Sequence, residues 1–359
     1  MKIQKTTNKM KPNFICALTS LMFSGLLIMS SMSLAEEGPW TQKAEMPTAR
    51  CGACSAVVDG KIYVIGGGED FGDRGPMIVE EYDPTMDTWT QKADGPDGRV
   101  FCSASVVNGK IYVIGGNAGA GAVSTVEEYD PATDTWTEKA DMPTPRYSLS
   151  TSAVNVKIYA IGGEGIAGQT VSTVEEYDPE TDTWTEKEGM MGARSWFSAV
   201  AVNGNIHAIG GAKNNALISA TEEYDPIADM WTRKANVPTT RGMLSATAVD
   251  GRIYVIGGQR MASALSTMEV YDPTTDTWTP EARMPTARTL LSTCSVNGKL
   301  YAIGGSQQGI TPGAAFLPAI AIVEEYDTGF VPPIHKAVHA KGKSITLWGK
   351  IRSNYYSVK

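Results

Sequence analysis

Histidine is scarce in this 359-residue chain: it has three, His207, His335 and His339. Imidazole is the usual general base and a frequent metal ligand, so few sites of either kind can be assembled. His335 and His339 would share one helix face, but no third ligand joins them and Pro332-Pro333 precedes them, so no metal is expected there. Cysteine is nearly as rare, with five residues at 16, 51, 54, 102 and 294. The CGAC stretch at 51–54 has CxxC spacing, but a redox CxxC needs a helix start to lower its thiol pKa. On a strand, residues three apart point to opposite faces and cannot bridge. Cys51, Cys54, Cys102 and Cys294 therefore read as core thiols, with a Cys54–Cys294 disulfide left open. No nucleophile–base–acid set is visible, and no cofactor is called for.

Acidic residues are absent before Glu36. Lys2, Lys5, Lys9 and Lys11 precede an apolar stretch from Phe14 to about Met29, and Ser33-Leu34-Ala35 offers small residues at cleavage spacing. The apolar stretch is shorter than the ~20 residues of a spanning helix. A signal peptide at 1–35 is expected, with an exported product, periplasmic or extracellular, and no remaining transmembrane segment. Removing those four lysines from the 31 Lys+Arg leaves 27 against 39 Asp+Glu. That net of −12 excludes the basic field that nucleic acid requires. The tail at 328–359 is the exception, with six Lys+Arg and no acid. It would lie on its own acidic body or serve as a handle for an anionic envelope surface or for an export system.

What the chain has in plenty is repetition. KIYVIGG at 61–67 returns as KIYVIGG, KIYAIGG, NIHAIGG, RIYVIGG and KLYAIGG. The double glycines are Gly66-Gly67, Gly115-Gly116, Gly162-Gly163, Gly210-Gly211, Gly257-Gly258 and Gly304-Gly305, spaced by 47 to 49 residues. A glycine loop that cradles phosphate occurs once and opens a helix. Six copies, each followed by another strand-like run, are repeat architecture. Within the copy from Arg99, RVFCSASVV, IYVIGG, TVEEYDP and WTEKADMP read as four strands, joined by NGK, a loop and DPATDT. Nothing in that copy has a helical period. His207 replaces a tyrosine found in the other five copies, a core substitution by default.

Tyr82, Tyr129, Tyr177, Tyr224 and Tyr271 are each followed seven residues on by Trp89, Trp136, Trp184, Trp231 and Trp278. Tyr326 lacks its tryptophan, and Trp40 opens the repeats with a fourth strand only. The N-terminal strand should therefore complete the last unit and remove the open edge.

A double glycine ending the second strand, then tyrosine and tryptophan in register, resembles the kelch repeat over residues 40–327. The resemblance implies an all-β, six-bladed propeller spanning 36–327, its last blade closed by an outermost N-terminal strand around Trp40. It implies that the tryptophans fill the gaps between blades. Kelch-like copper oxidases have seven blades and two histidine ligands that this chain lacks. Some exported six-bladed kelch proteins are sialic acid mutarotases that use acid and arginine side chains.

An arginine stands sixteen residues before each first glycine: Arg50, Arg99, Arg146, Arg194, Arg241 and Arg288. These open the innermost strands and should encircle one end of the channel. They would grip a carboxylate as planar forks, or pair with Glu80, Glu127, Glu175, Glu222, Glu269 and Glu324, each two residues before its tyrosine. Just after the arginines the copies diverge, with Phe101, Tyr147 and Trp196 as the aromatic departures. In kelch relatives this end and the loops after Gly-Gly form the ligand face. Two such loops are unusual here: 68–77 is charged, and 306–320 is long and apolar around Phe316. They would stand side by side if the ring closes. The expected function is a binding module for a protein or glycan, and the alternative is a sialic-acid-type mutarotase.

Overall fold

A computed structural model of the chain describes residues 39–70, 76–310 and 318–330. The expected leader at 1–35, the tail beyond residue 330, Phe316 and the central parts of both unusual loops lie outside them. Five of the repeats fold as four antiparallel strands in chain order, as in Ser150–Val154, Lys157–Ile161, Val174–Asp178 and Thr183–Lys187, and the last supplies three. The second strand is buried at Ile158, Tyr159, Ala160 and Ile161 alike. It has blades on both sides, which is why the run is continuously apolar rather than alternating. The fourth strand, TWTEK, keeps only partial cover and is polar. Among the described residues no helix is long and apolar enough to cross a membrane.

Six such sheets form, and their first strands neighbour one another in a closed cycle. The sixth is completed by Trp40–Gln42, which pairs antiparallel with Val323–Asp327, Trp40 opposite Tyr326. The molecule is a six-bladed propeller closed by its N-terminal strand.

The core lies between blades. Val107, Tyr112 and Ile114 of one blade pack on Ile158, Ala160 and Tyr177 of the next. At the rim each fourth-strand indole donates to a backbone carbonyl of the preceding blade. Trp136 reaches Ala93 O at 3.0 Å, Trp184 reaches Ala140 O at 2.9 Å, and Trp40 reaches Ala282 O at 3.0 Å, closing the ring. Beside it, Tyr129 donates to Asp134 (2.6 Å), which also accepts from the Ala93 amide (2.9 Å). Blade six lacks that aspartate, and Tyr326 turns to Glu281 instead (3.0 Å).

The double glycines serve the same closure. Gly163 N donates to Arg194 O of the next blade at 2.9 Å, and Gly305 N to Arg50 O at 2.9 Å. Gly162 and Gly163 have φ of 56° and 103°, and a Cβ on Gly162 would stand 2.7 Å from Arg194 O. Only glycine tolerates both the backbone and the approach. No phosphate is needed to explain them.

Candidate functional site

The six repeated arginines do not line the channel or the face. They are at most 2% exposed, and each is paired with the glutamate of its own blade. Arg146 is representative. Its Nη1 donates to Gly162 O (2.8 Å) and Thr173 O (2.9 Å), its Nη2 to Glu175 Oε2 (2.6 Å), and its Nε to Thr144 O (3.2 Å). Burial pulls this guanidinium's pKa down and Glu175 pushes it back up. The fork ties the double-glycine turn to the third strand. Of the two readings of the arginines, the geometry places them in the pairing with glutamate.

Two residues past each arginine the chain makes a different structure. Gly52, Phe101, Ser148, Trp196, Met243 and Leu290 all adopt left-handed φ, between 51° and 63°. Each amide donates to the carbonyl of its counterpart in the preceding blade: Phe101 to Gly52, Ser148 to Phe101, Trp196 to Ser148, Met243 to Trp196, Leu290 to Met243, and Gly52 back to Leu290. These bonds span 2.7–3.1 Å and form a closed circle of six peptides around the channel mouth. Left-handed φ costs a non-glycine residue roughly 1–2 kcal/mol. The turn is what directs N–H and C=O along the circle, so both groups stay satisfied at a place where a strand would leave them bare.

Side chains from this circle close the mouth. Phe101 lies over Gly52, where a Cβ would meet its ring at 2.5 Å. Phe101 and Trp196 meet edge to face at 4.8 Å, and Tyr147 meets Trp196 at 6.3 Å. Cys51, Val100, Phe101 and Leu290 are buried here, with Tyr147, Trp196, Met243, Ile310 and Ala319 packed partly exposed against them. The cluster borders an open pocket of about 100 Å³. Beneath it runs a channel of about 330 Å³ along the six first strands, with serine and threonine hydroxyls from every blade among its lining.

Sequence reasoning missed Glu164, which organises the aromatic side of this face. Its Oε1 accepts from Ser195 Oγ (2.8 Å) and Trp196 Nε1 (2.5 Å), and its Oε2 from the Tyr147 hydroxyl. Burial, then the carboxylate, raises the Tyr147 pKa. The available signal was position: the residue after each double glycine is Gly68, Asn117, Glu164, Ala212, Gln259 or Ser306, and only blade three places an acid there. Gln259 pins the start of the 306–320 loop through Ile310, accepting from its N (2.6 Å) and donating to its O (2.8 Å). At the far end Ala319 N donates to Glu69 O (2.9 Å), so the ends of the two unusual loops touch.

The candidate aromatics Phe101, Tyr147 and Trp196 are thus brought together, and Met243 and Leu290 join them. His207 is core: it is 1% exposed, packs edge to face on Tyr271 at 5.6 Å, and burial lowers its pKa to about 4. Cys54 faces Cys102 rather than Cys294, Sγ to Sγ 3.4 Å. Cys294 accepts a hydrogen bond from Ser55, and burial pushes its thiol up to about 12.

Among solved structures, one entitled "Structure of YjhT" superposes with a TM-score of 0.67 at 17% identity, over 78% of this chain and 95% of that one. It shares the fold. No curated protein matches the sequence. The KLHDC2/KLHL20/DRC7 Kelch-repeats domain matches residues 27–211, and the Kelch motif matches residues 240–285. With glycine, tyrosine and tryptophan of each repeat placed as above, the chain belongs to the kelch-repeat family.

Proposed function

We propose that the protein is an exported binding module that takes a protein or glycan surface on the face carrying Phe101, Tyr147, Trp196 and Met243. One observation carries this reading: the charged side chains that every blade repeats are consumed inside the blades, whereas unrepeated apolar and aromatic side chains collect at one end. Partly exposed Trp and Tyr on a rigid frame are efficient anchors, because they bring large contact area at low entropic cost. The loops at 68–77 and 306–320 start from the same rim. The leader-like segment at 1–35 supports export, and the basic residues of 328–359 supply a handle for an anionic envelope.

The test is capture from an extract of the source cells with the purified protein and with a Phe101→Ala/Trp196→Ala variant whose melting shows it folded. Material held by the parent and lost by the variant is the expected result. Identical profiles would remove this face as the binding site. The mutarotase alternative would draw on Glu164 rather than on the six repeated arginines, which are engaged by glutamates. Its test is anomer exchange of an acidic sugar, and no acceleration at micromolar protein would dispose of it.

A further inference from the structure

The first two blades meet at a seam unlike the others. Four residues past its arginine, blade one has Cys54, where the other five blades have Ser103, Ser150, Ser198, Ser245 and Ser292. Three residues past its arginine, blade two has Cys102, where Leu149, Phe197, Leu244 and Leu291 occupy four of the other five. Neither departure is required by the blade, since the repeat folds without it elsewhere. Both fall on one seam, and the two sulfurs face each other at 3.4 Å, Cys54 opening the first strand of its blade and Cys102 just preceding that of the next. A disulfide requires about 2.05 Å, so the approach still needed is of the order of an ångström.

We infer that Cys54 and Cys102 are a disulfide site, a dithiol that a small disulfide-bearing oxidant converts into a covalent link between blades one and two. Both residues border the hydroxyl-lined channel, and Cys102 also borders the pocket under the aromatic cap, which gives a small oxidant a route. Cys102 borders both spaces and Cys54 only the channel, so Cys102 is the attacking group, as its thiolate. Its thiolate attacks one sulfur of R–S–S–R, forming Cys102–S–S–R and expelling RS⁻. Cys54 loses its proton to solvent and attacks the Cys102 sulfur, forming the Cys54–Cys102 bond and expelling the second RS⁻. The protein gives up two electrons and two protons, and the oxidant leaves as two thiols. The new bond lies directly below Phe101 and braces the arc of the circle where blade one contributes only Gly52.

The experiment uses the full chain, reduced and then treated with oxidised glutathione both in the native state and during refolding from denaturant. Remaining thiols are alkylated and mapped by peptide mass spectrometry. The expected result is a Cys54–Cys102 linked peptide in at least one arm, with Cys16, Cys51 and Cys294 alkylated. The oxidised protein should melt several degrees higher, and dithiothreitol should reverse the shift. A Cys51→Ser/Cys294→Ser variant should retain both the link and the shift, and Cys102→Ser should lose both. Alkylation of Cys54 and Cys102 in both arms, a glutathione adduct that never resolves, or linkage to another cysteine overturns the inference. None of these outcomes depends on whether the face above binds a partner.

Discussion

In each blade an arginine and the residue two places after it have opposite fates. The arginine is the same six times, and its side chain disappears into its own blade, paired there with a glutamate. The second residue is Gly, Phe, Ser, Trp, Met or Leu, and it is the backbone there that repeats, in a left-handed turn and a bond to the next blade. One position spends its side chain on the fold; the other spends its main chain and leaves the side chain to vary. A surface for recognition can therefore diversify around this circle without touching the bonds that close it.

The sharpest way to break that contrast is to remove a repeated carboxylate. Glu175→Ala strands Arg146 in a buried site with only carbonyls and the Met142 sulfur as partners. The loss of one partner of a buried pair costs about 3–5 kcal/mol, a large share of a typical ~5–15 kcal/mol stability. Urea unfolding should show that drop, with partner capture unchanged in whatever fraction remains folded. A Glu175→Ala protein as stable as its parent would mean that Arg146 is held by the carbonyls and the sulfur alone.

The fold was largely legible, and the reason is register. The period of 47 to 49 residues, and the tryptophan missing at one end and present at the other, suffice for six blades and for their closure by Trp40. The site was legible in part. Phe101, Tyr147 and Trp196 stood out as departures from the repeat, and they do converge. The direction of the arginine side chains was not legible, because opening an innermost strand is compatible with facing the channel or the blade. The circle was hidden for a different reason. Phe, Ser, Trp, Met and Leu carry no preference for left-handed φ, so only Gly52 hinted at that turn. Cys54 has neighbours in blades six and two, and only the alternation of its strand, which the repeat does not reveal by itself, directs it to Cys102.

His207 offers a milder test, as a departure inside the scaffold. Four of the five tyrosines at equivalent positions donate to a glutamate, as Tyr112 does to Glu128 at 2.8 Å, and the fifth, Tyr254, faces Val270. His207 instead sits 3.4 Å from Glu223 with its Nδ1 unpartnered, and burial lowers its pKa to about 4. Above pH ~6.5 the imidazole is neutral in both states. As the pH falls from there to about 4 the unfolded chain takes up a proton that the folded chain resists, so stability is lost through that window. The loss is on the order of 1–3 kcal/mol at most. His207→Tyr should remove that component, seen as a flatter dependence of stability on pH than the parent shows. Parallel profiles would mean that His207 has the same pKa folded and unfolded, and a steeper acid loss in the variant would mean that it is protonated in the fold and paired with Glu223.

The smallest effect belongs to the circle itself. Met243→Gly leaves the amide and carbonyl that bond to Trp196 and Leu290 and relieves a φ of 55°. Relief of roughly 1 kcal/mol is set against about as much extra chain entropy in the unfolded state and the loss of a half-exposed side chain. Stability should therefore move by less than about 1 kcal/mol, in either direction. Gly52 already fills the same role in blade one. If recognition resides in this rim, the same variant should lose captured partner while unfolding almost as the parent does. A drop comparable to that of Glu175→Ala would show instead that the Met243 side chain, and not its peptide, holds the circle, and the separation between scaffold and surface would fail at that blade.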